Sequence, residues 1–169
     1  MKHLKTLLFA AILFAGTTNL ATAQSKVAHI NTTELVQAMP EMKAAQAEIE
    51  KLSKTYDAEY KTLVTDLQNK VKQYRAEAET KTEEENTKRA QEVQQIEQSI
   101  RQYQAQAQED LGKKEAALLK PIFEKAKAAI EKVSKAKGFQ YVLDSTQGGG
   151  VIVADGTDLL ADVKKELGF

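Results

Sequence analysis

The segment Pro40 to Ala78, PEMKAAQAEIEKLSKTYDAEYKTLVTDLQNKVKQYRAEA, decides how the rest of the chain is arranged. Apolar side chains fall at Met42, Ala45, Ile49, Leu52, Tyr56, Tyr60, Leu63, Leu67, Val71, Tyr74 and Ala78, each three or four residues after the last. That spacing places them on one stripe of an α-helix. The stripe lapses from Glu79 to Glu92, where Ala90 is the only apolar residue. It resumes at Val93, Ile96, Ile100, Tyr103, Ala107 and Leu111, then at Leu118, Ile122, Ile130 and Val133. The pattern predicts two long helices with a turn between them near Lys81 to Asn86.

Acidic residues stand four positions before basic ones at Glu50/Lys54, Asp57/Lys61, Asp66/Lys70, Glu77/Lys81, Glu97/Arg101, Glu109/Lys113 and Glu131/Lys135. Each such pair adds only about 0.2–0.5 kcal/mol to an exposed helix. Their repetition marks a solvated rod. The Gln-rich run from Gln91 to Gln108 is read as helix, because Val93, Ile96, Ile100 and Tyr103 pass through it at helical spacing.

Outside the rod, Met1 to Ala23 reads as a secretory signal peptide. Lys2 and Lys5 form its basic start, Leu7 to Ala15 a short apolar run, and Ala21-Thr22-Ala23 the cleavage signature, with cleavage after Ala23. The apolar run is well short of the roughly 20 residues that span a bilayer. Removing residues 1–23 takes away two of the 24 basic residues and no acidic one, leaving 22 against 24 and a net charge of −2. A mildly acidic chain with no concentrated Lys/Arg stripe carries no nucleic-acid footprint. There is no cysteine, so no disulfide.

Lys26 to Ile30 is a strand candidate, followed by a short helix capped by Asn31 with Glu34 three residues on. Pro40 suits the first turn of the rod. Pro121, inside the second helical pattern, removes a backbone hydrogen bond and is expected to kink the helix; the alternative is that it separates two helices. Gly138 is the expected helix stop. Phe139 to Asp144 and Val151 to Ala154 read as strands joined by a Gly-rich loop, hence a hairpin. Thr157 or Asp158 would cap a final helix through Leu159, Leu160, Val163 and Leu167.

These short strands cannot bury their apolar residues alone. Bringing both chain ends together satisfies them and forces the rod into an antiparallel hairpin, each arm about 55 Å long. The expected fold is α+β, mainly α: residues 24–40 and 120–169 form a discontinuous body, and 41–119 a helical hairpin with its tip near 80–87. So small a body points to an oligomer, with Val27, Ile30, Val142, Leu143, Val151 and Ile152 in its shared core.

Catalytic chemistry is not indicated. His29, the one histidine after residue 23, lies in a strand without a nucleophile nearby in sequence. Gly148-Gly149-Gly150 lacks the Gly-Lys-Ser/Thr of a phosphate loop. Asp144, Asp155 and Asp158 do not have the spacing of a calcium loop. No enzyme activity, metal or cofactor is expected.

The combination of VAHINTTELVQAMPEMKAAQAEIEKL, a charged helical hairpin, PIFEKAKAAIEKVSKAKGFQYVLD and ADGTDLLADVKKEL resembles the Skp (OmpH) family of periplasmic chaperones over essentially the whole chain after the signal peptide. The resemblance implies a homotrimer whose strands close into a small β-barrel-like body, with three helical hairpins hanging as tentacles. Unfolded outer-membrane proteins would be held between them as an ATP-independent holdase. It also implies peripheral contact with membrane or lipid, although familiar members are strongly basic and this chain is near neutral. Leu160 departs from the hydroxyl-bearing helix cap expected there. The rival reading is a non-catalytic coiled-coil scaffold of the cell envelope.

Overall fold

A computed structural model of the chain describes residues 26–169; the signal peptide and its cleavage after Ala23 lie outside the described residues. The elements run β1 (Val27–Ile30), α1 (Thr32–Ala38), α2 (Pro40–Glu77), a 3-10 turn (Ala78–Thr80), α3 (Glu83–Lys137), β2 (Tyr141–Asp144), β3 (Thr157–Asp158) and α4 (Leu160–Leu167). The two-helix expectation therefore holds, with α2 of 38 residues and α3 of 55 packed as a hairpin.

Local chemistry sets the boundaries. Asn31 caps α1 by accepting the Glu34 backbone N–H at 2.9 Å. Glu34 itself reaches Lys164 rather than back to Asn31, so the box is only half formed. Met39 is extended (ψ 133°), as the residue before a proline should be, and Pro40 opens α2. At the far end Thr82 and Glu85 form a complete capping box that starts α3. The helix ends in a Schellman motif: Gly138 takes φ +73°, its N–H reaches Lys135, and the Phe139 N–H reaches the Ser134 carbonyl at 2.9 Å. Pro121 lies inside α3, which continues through it, so it does not divide two helices.

The sheet has the order β2-β1-β3, and both neighbours run parallel to β1. The register pairs Val27 with Tyr141 and His29 with Leu143. This corrects the expected hairpin: Val151 to Ala154 is not a strand, and β3 is Thr157–Asp158. The Gly-rich loop, with Gly148 and Gly150 at φ +87°, carries the chain away from β2 and across to the opposite side of β1.

Along β1, Ala28 and Ile30 point inward. They pack with Leu35 and Met39, with Ile122, Ala126, Ala129 and Val133 of α3, and with Leu159 and Val163 at the C-terminus. This apolar cluster is drawn from both ends of the chain. The arm beyond it buries little: past Ala45, itself part of the cluster, only Ile100 and Ala107 in outer α3 are buried.

Candidate functional site

Two surfaces stand out. The first is the uncovered face of the sheet. Alternation along β1 sends Val27 and His29 opposite to Ala28 and Ile30, and the register sets Tyr141 and Leu143 beside them. Val27, Tyr141 and Leu143 are all exposed. Parallel sheets are ordinarily covered on both faces, whereas this one leaves an apolar face open.

The expected core residues divide accordingly. Ile30, 1% exposed, belongs to the chain's own core. Val142 and Val151 are half-buried. Val27 and Leu143 lie on the open face, and Ile152 is 97% exposed on the loop. Three apolar residues escaped the sequence reading of that core: Phe123 (53% exposed), Tyr141 and Val153. Phe123 lines a groove with Val36, Ile130, Phe139 and Val142. The available signal was its position off the stripe beside Ile122, where helical spacing offers it no partner in the opposite arm.

Around the open face, polar groups tie the loops down. Asp144 accepts from the Thr32 hydroxyl at 2.6 Å and from the Thr146 hydroxyl at 2.7 Å, as well as from both backbone N–H groups. Burial pushes its carboxyl up, but those hydrogen bonds outweigh burial and hold it down at about 2. His29 Nδ1 lies 3.3 Å from Ser145 Oγ. Among the described residues no cluster of His, Cys, Asp or Glu is arranged to hold a metal ion. Leu159, rather than Thr157 or Asp158, is the cap residue of α4 and offers no side-chain bond, while Asp158 one position earlier accepts the Leu160 N–H at 2.9 Å.

The second surface is the arm. Where it leaves the body, Met42, Ala45, Ile49, Leu118 and Leu119 line an open groove of about 540 Å³, rimmed by Glu50, Lys54, Asp57 and Glu115. Hydroxyl–carboxylate contacts and ion pairs stitch the helices together along their length. At the body end Glu41 pairs with Lys125 and Glu48 with Lys114. Tyr56 donates to Asp110 and Tyr103 to Glu59, and the two rings meet edge-on at 6.1 Å. Partial burial and the Glu59 carboxylate push the Tyr103 hydroxyl up to about 12. Nearest the tip, Lys70 and Tyr74 both reach Glu92, and Glu77 reaches Arg89. The expected within-helix pairs form at Glu50/Lys54, Glu109/Lys113 and Glu131/Lys135. Lys70, by contrast, turns to the other arm.

Known proteins share this architecture. Residues 26–167 match the model of the family described as outer membrane protein (OmpH-like). A chaperone protein Skp from Vibrio cholerae serotype O1 (strain ATCC 39315 / El Tor Inaba N16961) is 26% identical over 128 residues, 76% of each chain. The crystal structure of a protein assigned as an OmpH-like outer membrane chaperone, from Caulobacter crescentus CB15, aligns with a TM-score of 0.75. That match is 19% identical, over 86% of this chain and 85% of that one, and is a likeness of fold.

Proposed function

From its place in the OmpH-like outer membrane protein family, to which this chain belongs, we propose that it is an ATP-independent holdase for unfolded outer-membrane β-barrel proteins. It acts in the periplasm after cleavage of its signal peptide behind Ala23. The observation that carries this reading is the long hairpin itself, which projects from the apolar cluster and encloses almost none of its own surface. A single arm holds nothing. Several arms fixed side by side bound a cavity, and many weak contacts within it sum to useful avidity.

Side-by-side arms require an oligomer, and the open sheet face supports one. Joining copies through Val27, Tyr141, Leu143 and the loop at Val151 and Ile152 would cover the exposed apolar groups and the free edge of β2. The reading is a homotrimer with the body as hub. The arms, not the body, touch clients.

The test dilutes a urea-unfolded outer-membrane β-barrel into buffer with and without the processed protein, and follows light scattering. Suppression at stoichiometric chaperone, without nucleotide, is expected. Unchanged aggregation would overturn the holdase reading in favour of an envelope scaffold.

A further inference from the structure

The hairpin is held together differently along its length. At the body end Ala45 and Ile122 are buried beneath the Glu41–Lys125 and Glu48–Lys114 pairs. Near the tip no side chain of α2 beyond Ala45 is buried, and none of α3 before Ile100. The side-chain hydrogen bonds and ion pairs that cross between the helices there form one compact polar cluster, beside the half-buried Val71, Val93 and Ile96. Glu92 accepts from Lys70 and from the Tyr74 hydroxyl, both at 2.5 Å. Arg89 bonds Glu77 at 2.6 Å and lies 4.6 Å from the centre of the Tyr74 ring. Asn86 adds one bond to the Ala78 carbonyl.

Every link between side chains of the two helices in that cluster, apart from the ring stacking, ends on a carboxylate. Glu92 faces Lys70 and Tyr74 from α2 and Arg89 on its own helix. Glu77 faces Gln73 and Lys81 on its own side and Arg89 across the seam. We propose that this cluster is an acid-releasable clamp: with Glu77 and Glu92 charged the arm is closed to its tip, and protonating them lets the outer arm splay while the inner arm and body stay shut. Splaying uncovers Val71, Val93 and Ile96, now half-buried in the seam.

The direction follows from the donors. Lys70, then Tyr74, hold the Glu92 carboxyl below the ordinary 4.5, and Gln73, then Arg89, do the same for Glu77. Groups lowered in the folded chain hold it together at and above that value and let go as the pH falls through their folded values. The release window therefore lies below 4.5. The proposal concerns the arm alone and does not depend on client binding.

The chain has no cysteine, so spin labels can be placed cleanly on exposed sites. One pair, Lys72→Cys with Gln91→Cys, reports on the outer arm; Ala44→Cys with Lys120→Cys reports on the inner arm. Pulsed electron resonance, with unlabelled chain in excess, is read at neutral pH and at about pH 3. The outer distance distribution should broaden in acid while the inner one holds. The Glu77→Gln, Glu92→Gln double variant should show the broad outer distribution already at neutral pH. An outer pair unmoved by acid, inner and outer pairs opening together, or a double variant that stays closed would each overturn the clamp.

Discussion

Ile30 and Ile152 were grouped by sequence as equivalent apolar strand residues, yet one is 1% and the other 97% exposed. Periodicity identifies apolar positions, but only the sheet order tells which side of the chain each one meets. Ile30→Ala should lower the unfolding free energy by about 2–5 kcal/mol, read by urea denaturation. Ile152→Asp should change the stability of the single chain by no more than about 0.5 kcal/mol. Sedimentation of that variant should nonetheless show dissociation, if Ile152 lies in the proposed interface. Asp144 is a case that sequence could not grade, because one of its donors, Thr32, stands at the start of α1, 112 residues away, while only Thr146 is a near neighbour. Its folded value near 2 lies below the ordinary 3.8. Its contribution is thus complete above 3.8 and lost as pH falls through about 2. Carboxyl NMR should give a midpoint near that value, and Thr32→Val should raise it toward 3.8.

At the scale of elements, the long helices were legible because one stripe runs through each, and their ends because Pro40 and Gly138 are strong local signals. At the tip, Thr82-Glu83-Glu84-Glu85 is a readable capping box, and polar groups rather than apolar ones supply the cross-links. The strand expected at Val151 is absent although its composition is right, because the place beside β1 is taken by Thr157–Asp158. Two glycines of α3 and its end give opposed expectations. A Cβ at Gly112 would meet nothing within 4 Å, so Gly112→Ala should stabilise the helix by up to about 1 kcal/mol. Gly138, at φ +73°, should lose about 1–2 kcal/mol on change to Ala. Thermal melts of the two variants should move in opposite directions.

On the scale of the whole molecule, the meeting of the chain ends was inferable from strands that could not stand alone, but the parallel order was not, since nothing local distinguishes it from a hairpin. Deleting Tyr74 to Gln98 and inserting a short turn removes the tip and spares the apolar cluster. The proposed oligomer should persist in sedimentation, and protection of large clients should fall more than that of small ones. The sheet also carries a consequence in time. Its central strand is the first to leave the ribosome or translocon, and its partners arrive only with Tyr141 and Thr157. Closing so long a loop directly is slow. The helices offer a shorter route: pairing from the Thr82 turn inward brings Met39 toward Ile122 before either end is committed, leaving only short tails to dock. The arm would thus also guide this chain to its own fold, and until Tyr141 to Asp144 emerge, β1 must travel unpaired.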